Sequence, residues 1–118
     1  MPQTPGDWRY LAGPSTSTAA FGGNQLLMIC NRQTGTVTLV RAGAVSGGVA
    51  MSVSTSSTSR SLVGQGDGAT VSTALPARDS LLDAMAFSRG RFAVETAGLP
   101  ALYLPSYPEV ARVIEDCR

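Results

Sequence analysis

Residues 49–55 read Val49-Ala50-Met51-Ser52-Val53-Ser54-Thr55. This stretch has the clearest two-residue period in the chain, because Val49, Met51 and Val53 fall on one face of an extended strand. The serines between them fall on the opposite face. A strand with one apolar and one polar face is typical of an antiparallel sheet that covers a core on one side and meets water on the other. The stretch therefore predicts a mainly β fold.

Further strand patterns lie on both sides of this stretch. The run 25–30 is apolar almost throughout and predicts a central strand that is buried on both faces. The glycine-rich segment 64–68 predicts the turn of a hairpin, and residues 33–35 predict another. Strands are also predicted at 8–11, 36–41, 60–63, 69–75, 92–96 and 102–104.

Two segments follow a helical period instead. Residues 79–88 predict a short helix that begins at a cap, Asp79 or Ser80. Residues 107–117 predict a C-terminal helix, because the apolar positions recur at i, i+3, i+4 and i+7. Together with the short strands, these helices predict a β-sandwich or an open, barrel-like antiparallel sheet, and both alternatives stay open at this point.

The start of the C-terminal helix carries a signal of its own. Ser106 and Glu109 have the spacing of a capping box, in which the serine side chain accepts a hydrogen bond from the first helical turn and the glutamate reaches back. Pro108 stands in that first turn, where its missing N–H is no loss. We therefore expect Ser106 to cap the helix.

The two cysteines are the next informative residues. Cys30 ends an apolar strand pattern and Cys117 ends the apolar stripe of the C-terminal helix, so both are expected in the core. The alternatives are a disulfide, two separate buried thiols and a weak metal pair. Two ligands without histidine make a poor zinc site. Of the other two, we favour a Cys30–Cys117 disulfide, which indicates an oxidising compartment such as the bacterial periplasm.

Length and charge limit what the chain can be. Its 118 residues suit one domain, which we expect over 8–118 after a flexible N-terminal segment, 1–7. The net charge is +1 and the basic residues are not clustered, so nucleic acid is not an expected partner. No apolar run reaches about 18 residues, so the chain is not expected to span a membrane.

The absence of histidine narrows the chemistry. It excludes Ser-His-Asp and Cys-His nucleophile activation and every metal site that needs a histidine ligand. No cofactor is expected, and a non-enzymatic function is favoured. The first residues lack the basic and apolar regions of an export signal, so we expect that any such signal has been removed and that the protein is periplasmic or secreted.

Arginine and tyrosine residues are the candidate binding residues. Arg89 and Arg91 follow the predicted short helix, where two guanidinium groups can hold a carboxylate or a phosphate; the alternative is a helix C-cap. Tyr103 alternates away from its inward-facing neighbours, and Tyr107 lies off the apolar stripe of the C-terminal helix. Because arginine and tyrosine are enriched at binding hot spots, we expect these four residues to form one partner-facing surface.

A catalytic alternative uses different residues. Asp79 and Asp83 are spaced to act as paired carboxylates, and together with Ser88 they are the residues on which a hydrolase that needs no histidine would be built. Each aspartate also has a structural explanation, because Asp79 can cap the helix and Asp83 can compensate its dipole. The hydrolase is therefore the least favoured of the functional hypotheses.

The layout resembles that of small periplasmic proteins of Proteobacteria. A strand ending at Cys30, several Ser/Thr-rich strands and a terminal helix closing on Cys117 are similar in order to type VI secretion accessory proteins of the VasI type and to invasion-associated locus B proteins. Segments 81–92 and 112–118 resemble uncharacterised alphaproteobacterial proteins. The resemblance implies a small periplasmic domain and assigns no functional residue.

Two partners remain as expectations. The favoured function is a non-enzymatic periplasmic interaction or accessory domain, whose partner is an envelope protein. The alternative is a binder of a small anionic ligand or an envelope component through Arg89 and Arg91. A flat apolar patch around the tyrosines would favour the first, since large exposed apolar patches mark protein interfaces.

Overall fold

A computed structural model describes residues 2–118. Nine antiparallel strands form one curled half-barrel sheet, accompanied by a short helix and a C-terminal helix. The predicted mainly β class is confirmed, in its open, barrel-like form. The elements are β1 (Trp8–Ala12), β2 (Thr16–Phe21), β3 (Leu26–Asn31), β4 (Thr36–Ala42), β5 (Ser46–Ser54), β6 (Ser59–Asp67), β7 (Thr70–Pro76), α1 (Ser80–Ala86), β8 (Arg91–Thr96), β9 (Leu102–Pro105) and α2 (Pro108–Asp116).

The order of strands across the sheet is β1-β2-β3-β4-β7-β6-β5-β8-β9. The first four strands form a meander, and β5, β6 and β7 then join it in reverse order, so that β5 lies beside β8. Ser54 at the end of β5 is paired with Ala93 near the start of β8. The loop that leaves β5 and the turn that enters β8 therefore meet at one end of the sheet.

The core lies on the concave side of the sheet. Along β5, Val49, Met51 and Val53 are buried while the two serines between and beyond them are half-buried, as the alternation predicts. The helix α2 lies against β1, β2 and β3. Its buried residues are Val110, Val113 and Ile114, and Cys117, the last position of the expected apolar stripe, is half-buried against the core.

The strand β3 differs from its prediction. Leu26, Met28 and Cys30 are fully buried, but Leu27 and Ile29 between them are only half-buried. β3 is also the third strand from an edge. The prediction of a central strand buried on both faces is wrong, because the helix α2 covers one face of β3 and the other keeps contact with water.

The glycine-rich segment 64–68 also differs from its prediction. β6 continues to Asp67, so Gly64 and Gly66 are strand residues and the turn is confined to the residues around Gly68. A Cβ atom on Gly64 would come within 2.6 Å of both Met51 Sδ and Val71 Cγ1. Glycine stands at this position because two buried side chains fill the space, and a pattern of glycines alone does not distinguish that reason from a turn.

The two helices begin in different ways. Asp79 caps α1, since its carboxylate accepts a hydrogen bond from the Leu81 N–H at 2.9 Å. The N-cap of α2 is Tyr107, whose side chain makes no capping hydrogen bond, and Ser106 Oγ is buried with no hydrogen-bond partner. The predicted capping box is therefore wrong. The reason is Pro108, which holds the preceding residue in an extended conformation and so delays the helix by one residue.

The predicted disulfide is present. Cys30 in β3 and Cys117 at the end of α2 are bonded, across 87 residues of sequence. Cys30 is fully buried. The bond fastens the C-terminal helix to the sheet it covers.

The start of the chain contacts the last strand. The Thr4 N–H donates to the Tyr103 carbonyl at 2.9 Å, and the Tyr103 N–H donates to Thr4 Oγ1 at 2.8 Å. Further on, Trp8 Nε1 donates to the Pro105 carbonyl at 2.8 Å. The Thr4 bonds attach the segment before β1 to β9, and the Trp8 bond joins the two edge strands of the half-barrel at one point. Met1, the first residue of the predicted flexible segment 1–7, lies outside the described residues.

Candidate functional site

A polar cleft lies at the end of the sheet where β5 and β8 meet. Its volume is about 300 Å³. We call it the basic cleft, and its lining residues are Ser54, Thr55, Ser56, Arg89, Arg91, Phe92, Ala93 and Tyr103. Three of the four predicted surface residues, Arg89, Arg91 and Tyr103, therefore come together in one place.

Hydrogen bonds between two loops hold the wall of the basic cleft. Ser88 Oγ donates to the Arg91 carbonyl at 2.6 Å and accepts from the Ser56 N–H at 2.9 Å. The Arg89 N–H donates to Ser56 Oγ at 3.0 Å. Since Ser88 is buried, these bonds fix the turn before β8 against the loop after β5. Ser56 Oγ keeps its own proton, which is free to be donated to a ligand.

The basic cleft carries positive charge without a matching carboxylate. Among residues 2–118, three ion pairs form, and none includes Arg89 or Arg91. No acidic residue in the described part of the chain lines the cleft. The Arg91 guanidinium lies 5.8 Å from the centre of the Tyr103 ring, within the range of a cation–π contact. Two guanidinium groups are thus available to an anionic ligand.

Tyr107 lies elsewhere. It belongs to a second concavity of about 480 Å³, which we call the edge groove and which is lined by Tyr10, Tyr107, Pro108, Glu109 and Arg112. The lining of the basic cleft does not include it. The two predicted tyrosines therefore line different concavities of the domain.

The residues of the hydrolase hypothesis are engaged in structural contacts. Asp79 pairs with Arg60, whose Nη1 lies 2.7 Å from Asp79 Oδ1, and this hydrogen bond together with the Leu81 N–H holds the pKa of Asp79 below its usual value. Asp83 pairs with Arg118 at 2.7 Å. Ser88 Oγ both donates and accepts within the cleft wall. The hydroxyl proton of Ser88 is thus engaged with the Arg91 carbonyl.

Some residues of interest had no clear signal in the sequence. Ser56 lies in a Ser/Thr-rich stretch where no serine is distinguished from its neighbours, and only the fold brings it to Arg89. Phe87, the residue that follows α1, is 78% exposed. An apolar residue at the end of an amphipathic helix is expected to be buried instead. Arg41 is buried and donates to the Ala42 and Pro100 carbonyls, and burial lowers the pKa of its guanidinium.

Within residues 2–118, neither a cluster of metal ligands nor a membrane-crossing helix is found. That range contains no group of three or more Cys, Asp or Glu side chains placed to hold a metal ion. Neither of its two helices has the length and apolar character needed to cross a membrane.

The chain was compared with protein-family models, with curated proteins and with solved structures. None of the three comparisons gives a match. The resemblance to small periplasmic proteins of the VasI type therefore stays a prediction. What the basic cleft and the edge groove can do is inferred from their own side chains.

Proposed function

We propose that this protein is a non-enzymatic binding domain that holds an anionic group of its ligand in the basic cleft. The observation that carries the proposal is the pair Arg89 and Arg91, which share a cleft with hydroxyl groups and have no carboxylate partner within residues 2–118. Arg60 and Arg41 differ from this pair, because Arg60 forms an ion pair with Asp79 and Arg41 donates to backbone carbonyls.

The chemistry of the cleft indicates the class of ligand. Guanidinium groups present a planar fork of N–H donors that matches the oxygens of a carboxylate, a phosphate or a sulfate. Ser56 Oγ adds a neutral donor beside Arg89. Tyr103 offers an aromatic face on the same side as Arg91. An anionic group attached to a flat or apolar body fits this set of contacts best.

A binding role without catalysis agrees with the residues present. The carboxylates of the hydrolase hypothesis are committed to arginines, and Ser88 holds the cleft wall together. Among residues 2–118, the lining of the basic cleft has donors and an aromatic ring but no carboxylate. Such a set suits the binding of an anion.

We place this domain in an oxidising compartment, the periplasm or the cell exterior. The Cys30–Cys117 disulfide supports this location, because such bonds persist outside the reducing cytoplasm. The anionic ligand is then a small molecule or a component of the envelope. The cleft chemistry is the same for both.

Calorimetric titration tests the proposal, with inorganic phosphate, acetate and anionic phosphatidylglycerol vesicles as separate probes at constant ionic strength. We expect at least one probe to bind the unmodified domain and to bind roughly tenfold or more weakly to Arg89→Gln/Arg91→Gln. The matched control is Arg78→Gln, which removes an exposed arginine outside the cleft. Free anions and vesicles distinguish a small ligand from an envelope surface. Equal binding by all three proteins, or no binding of any probe, would overturn the proposal.

A further inference from the structure

The first strand of the sheet has an open edge. β1 pairs with β2 on one side, and on its other side the sheet ends. An edge strand with free backbone groups is a template on which another chain can pair. Which groups are free follows from the register of β1 and β2.

The register assigns alternate residues of β1 to the two sides. The Gly22 N–H donates to the Asp7 carbonyl at 3.1 Å, and the Gly13 N–H donates to the Thr16 carbonyl at 2.8 Å. Hydrogen-bonded pairs recur at every second residue of an antiparallel ladder, so the odd-numbered residues of β1 bond to β2. The N–H and C=O groups of Tyr10 and Ala12 therefore point away from the sheet.

At the opposite edge of the half-barrel, another segment of the chain is hydrogen-bonded to the edge strand β9. On β9, the backbone N–H and C=O of Tyr103 are both bonded to Thr4, in the segment that precedes β1. An extended piece of chain thus already lies along that edge. At Tyr10 and Ala12, no backbone partner is present within residues 2–118.

The edge groove lies beside this open edge. Its walls are Tyr10 of β1 and the first turns of α2, with Tyr107 at 48% exposure. Tyr10 is held in place on two sides. The Arg112 guanidinium stacks 4.1 Å from its ring centre, and its hydroxyl donates to Asp116. The groove is therefore formed before any partner arrives, which reduces the ordering cost of binding.

We propose that an extended peptide segment of a partner protein adds to the sheet beside β1. Its backbone bonds to Tyr10 and Ala12, and one of its apolar side chains enters the edge groove against Tyr10 and Tyr107. Backbone bonds then supply affinity and the groove supplies selectivity, as in other strand-addition complexes. This inference concerns a surface other than the basic cleft and does not rest on the function proposed for that cleft.

Area favours a peptide over a second copy of the domain. The edge groove is lined by one cation, Arg112, and one carboxylate, Glu109, so a peptide with a basic and an acidic residue flanking its apolar residue is favoured. Pairing the five-residue β1 strands of two copies buries much less accessible surface area than the roughly 1,200 Å² of a stable interface. A peptide buries additional surface area, because one of its side chains also fills the edge groove.

The test starts from a random dodecapeptide display library selected on the disulfide-bonded domain. A selected peptide is synthesised and its affinity measured for the unmodified domain, for Ala12→Pro and for Ala12→Ser. Proline removes the outward N–H of Ala12 without touching the β2 ladder, and serine keeps that N–H. We expect roughly tenfold or weaker binding to Ala12→Pro and unchanged binding to Ala12→Ser.

Amide exchange measured by NMR gives a second readout that does not depend on the proline variant. The amides of Tyr10 and Ala12 should exchange rapidly in the free domain and slowly with the peptide bound, while those of Arg9 and Leu11 are protected throughout. Failure to select a peptide, equal binding to Ala12→Pro, or loss of binding in Arg89→Gln/Arg91→Gln would overturn the proposal. So would protection of Tyr10 that rises with protein concentration alone, because that identifies a second copy as the occupant.

Discussion

Gly64 illustrates how a single residue can be fixed by its neighbours rather than by its backbone. It lies within β6, where Met51 and Val71 occupy the space that a side chain would need. Gly48 lies in the adjacent strand β5, and the nearest heavy atom to a Cβ added there would be Gln65 Nε2, at 3.9 Å. The two glycines therefore differ in packing while both lie in strands.

This difference predicts opposite outcomes for the same substitution. Gly64→Ala should lower the free energy of unfolding by about 1–3 kcal/mol, because an added methyl group overpacks the core. Gly48→Ala should be neutral or slightly stabilising, because alanine restricts the unfolded chain and meets no obstacle. Urea denaturation of both variants checks the pair. Equal stability of the two would contradict the packing described around Gly64.

At the scale of secondary-structure elements, the two helices differ in what starts them. Asp79 supplies a side-chain cap to α1, whereas α2 begins at Pro108 without one. Asp79→Ala should therefore cost about 1 kcal/mol or more. Ser106→Ala should leave stability unchanged or raise it, because Ser106 Oγ is buried and makes no hydrogen bond within residues 2–118. Thermal or urea unfolding measures both, and a loss near 1 kcal/mol for Ser106→Ala would show that serine caps α2 after all.

The elements show how far sequence patterns reach. Alternation in β5 and the apolar stripe of α2 predict burial correctly, because each depends only on which face of one element meets the core. Sequence patterns fail where a neighbouring element determines whether a residue is buried. β3 is apolar on both faces yet covered on one, and Gly64 of β6 is confined by the side chains of Met51 in β5 and Val71 in β7.

The candidate site likewise contains residues that the sequence predicts and residues that only the fold brings together. Arg89, Arg91 and Tyr103 could be named from the sequence, since their residue types and exposure are local properties. Ser56 and the separation of Tyr107 from Tyr103 could not be predicted. The position of Ser56 depends on the reversed order of β5, β6 and β7, which brings the loop after β5 to the turn before β8. The separation of the two tyrosines depends on the course of the chain from β9 to α2, and no local pattern encodes either feature.

At the scale of the whole molecule, the disulfide ties the C-terminal helix to the sheet. In the chain-entropy model, a closed loop of this length contributes about 4–5 kcal/mol through the unfolded state. Cys30→Ala/Cys117→Ala should therefore unfold at a much lower urea concentration than the oxidised protein, and reduction should have a similar effect. Intact mass before and after alkylation without reductant checks that the bond is formed. Two alkylated thiols in the purified protein would contradict it.

The central functional claim is that Arg89 and Arg91 receive an anionic group. The most direct measurement is NMR of the arginine Nε–H signals during titration with inorganic phosphate at constant ionic strength, because it reports on each guanidinium separately. The account predicts saturable shifts of the Arg89 and Arg91 signals, with those of Arg78 and Arg9 unchanged. Shifts of equal size at all exposed arginines, or none at Arg89 and Arg91, would contradict it.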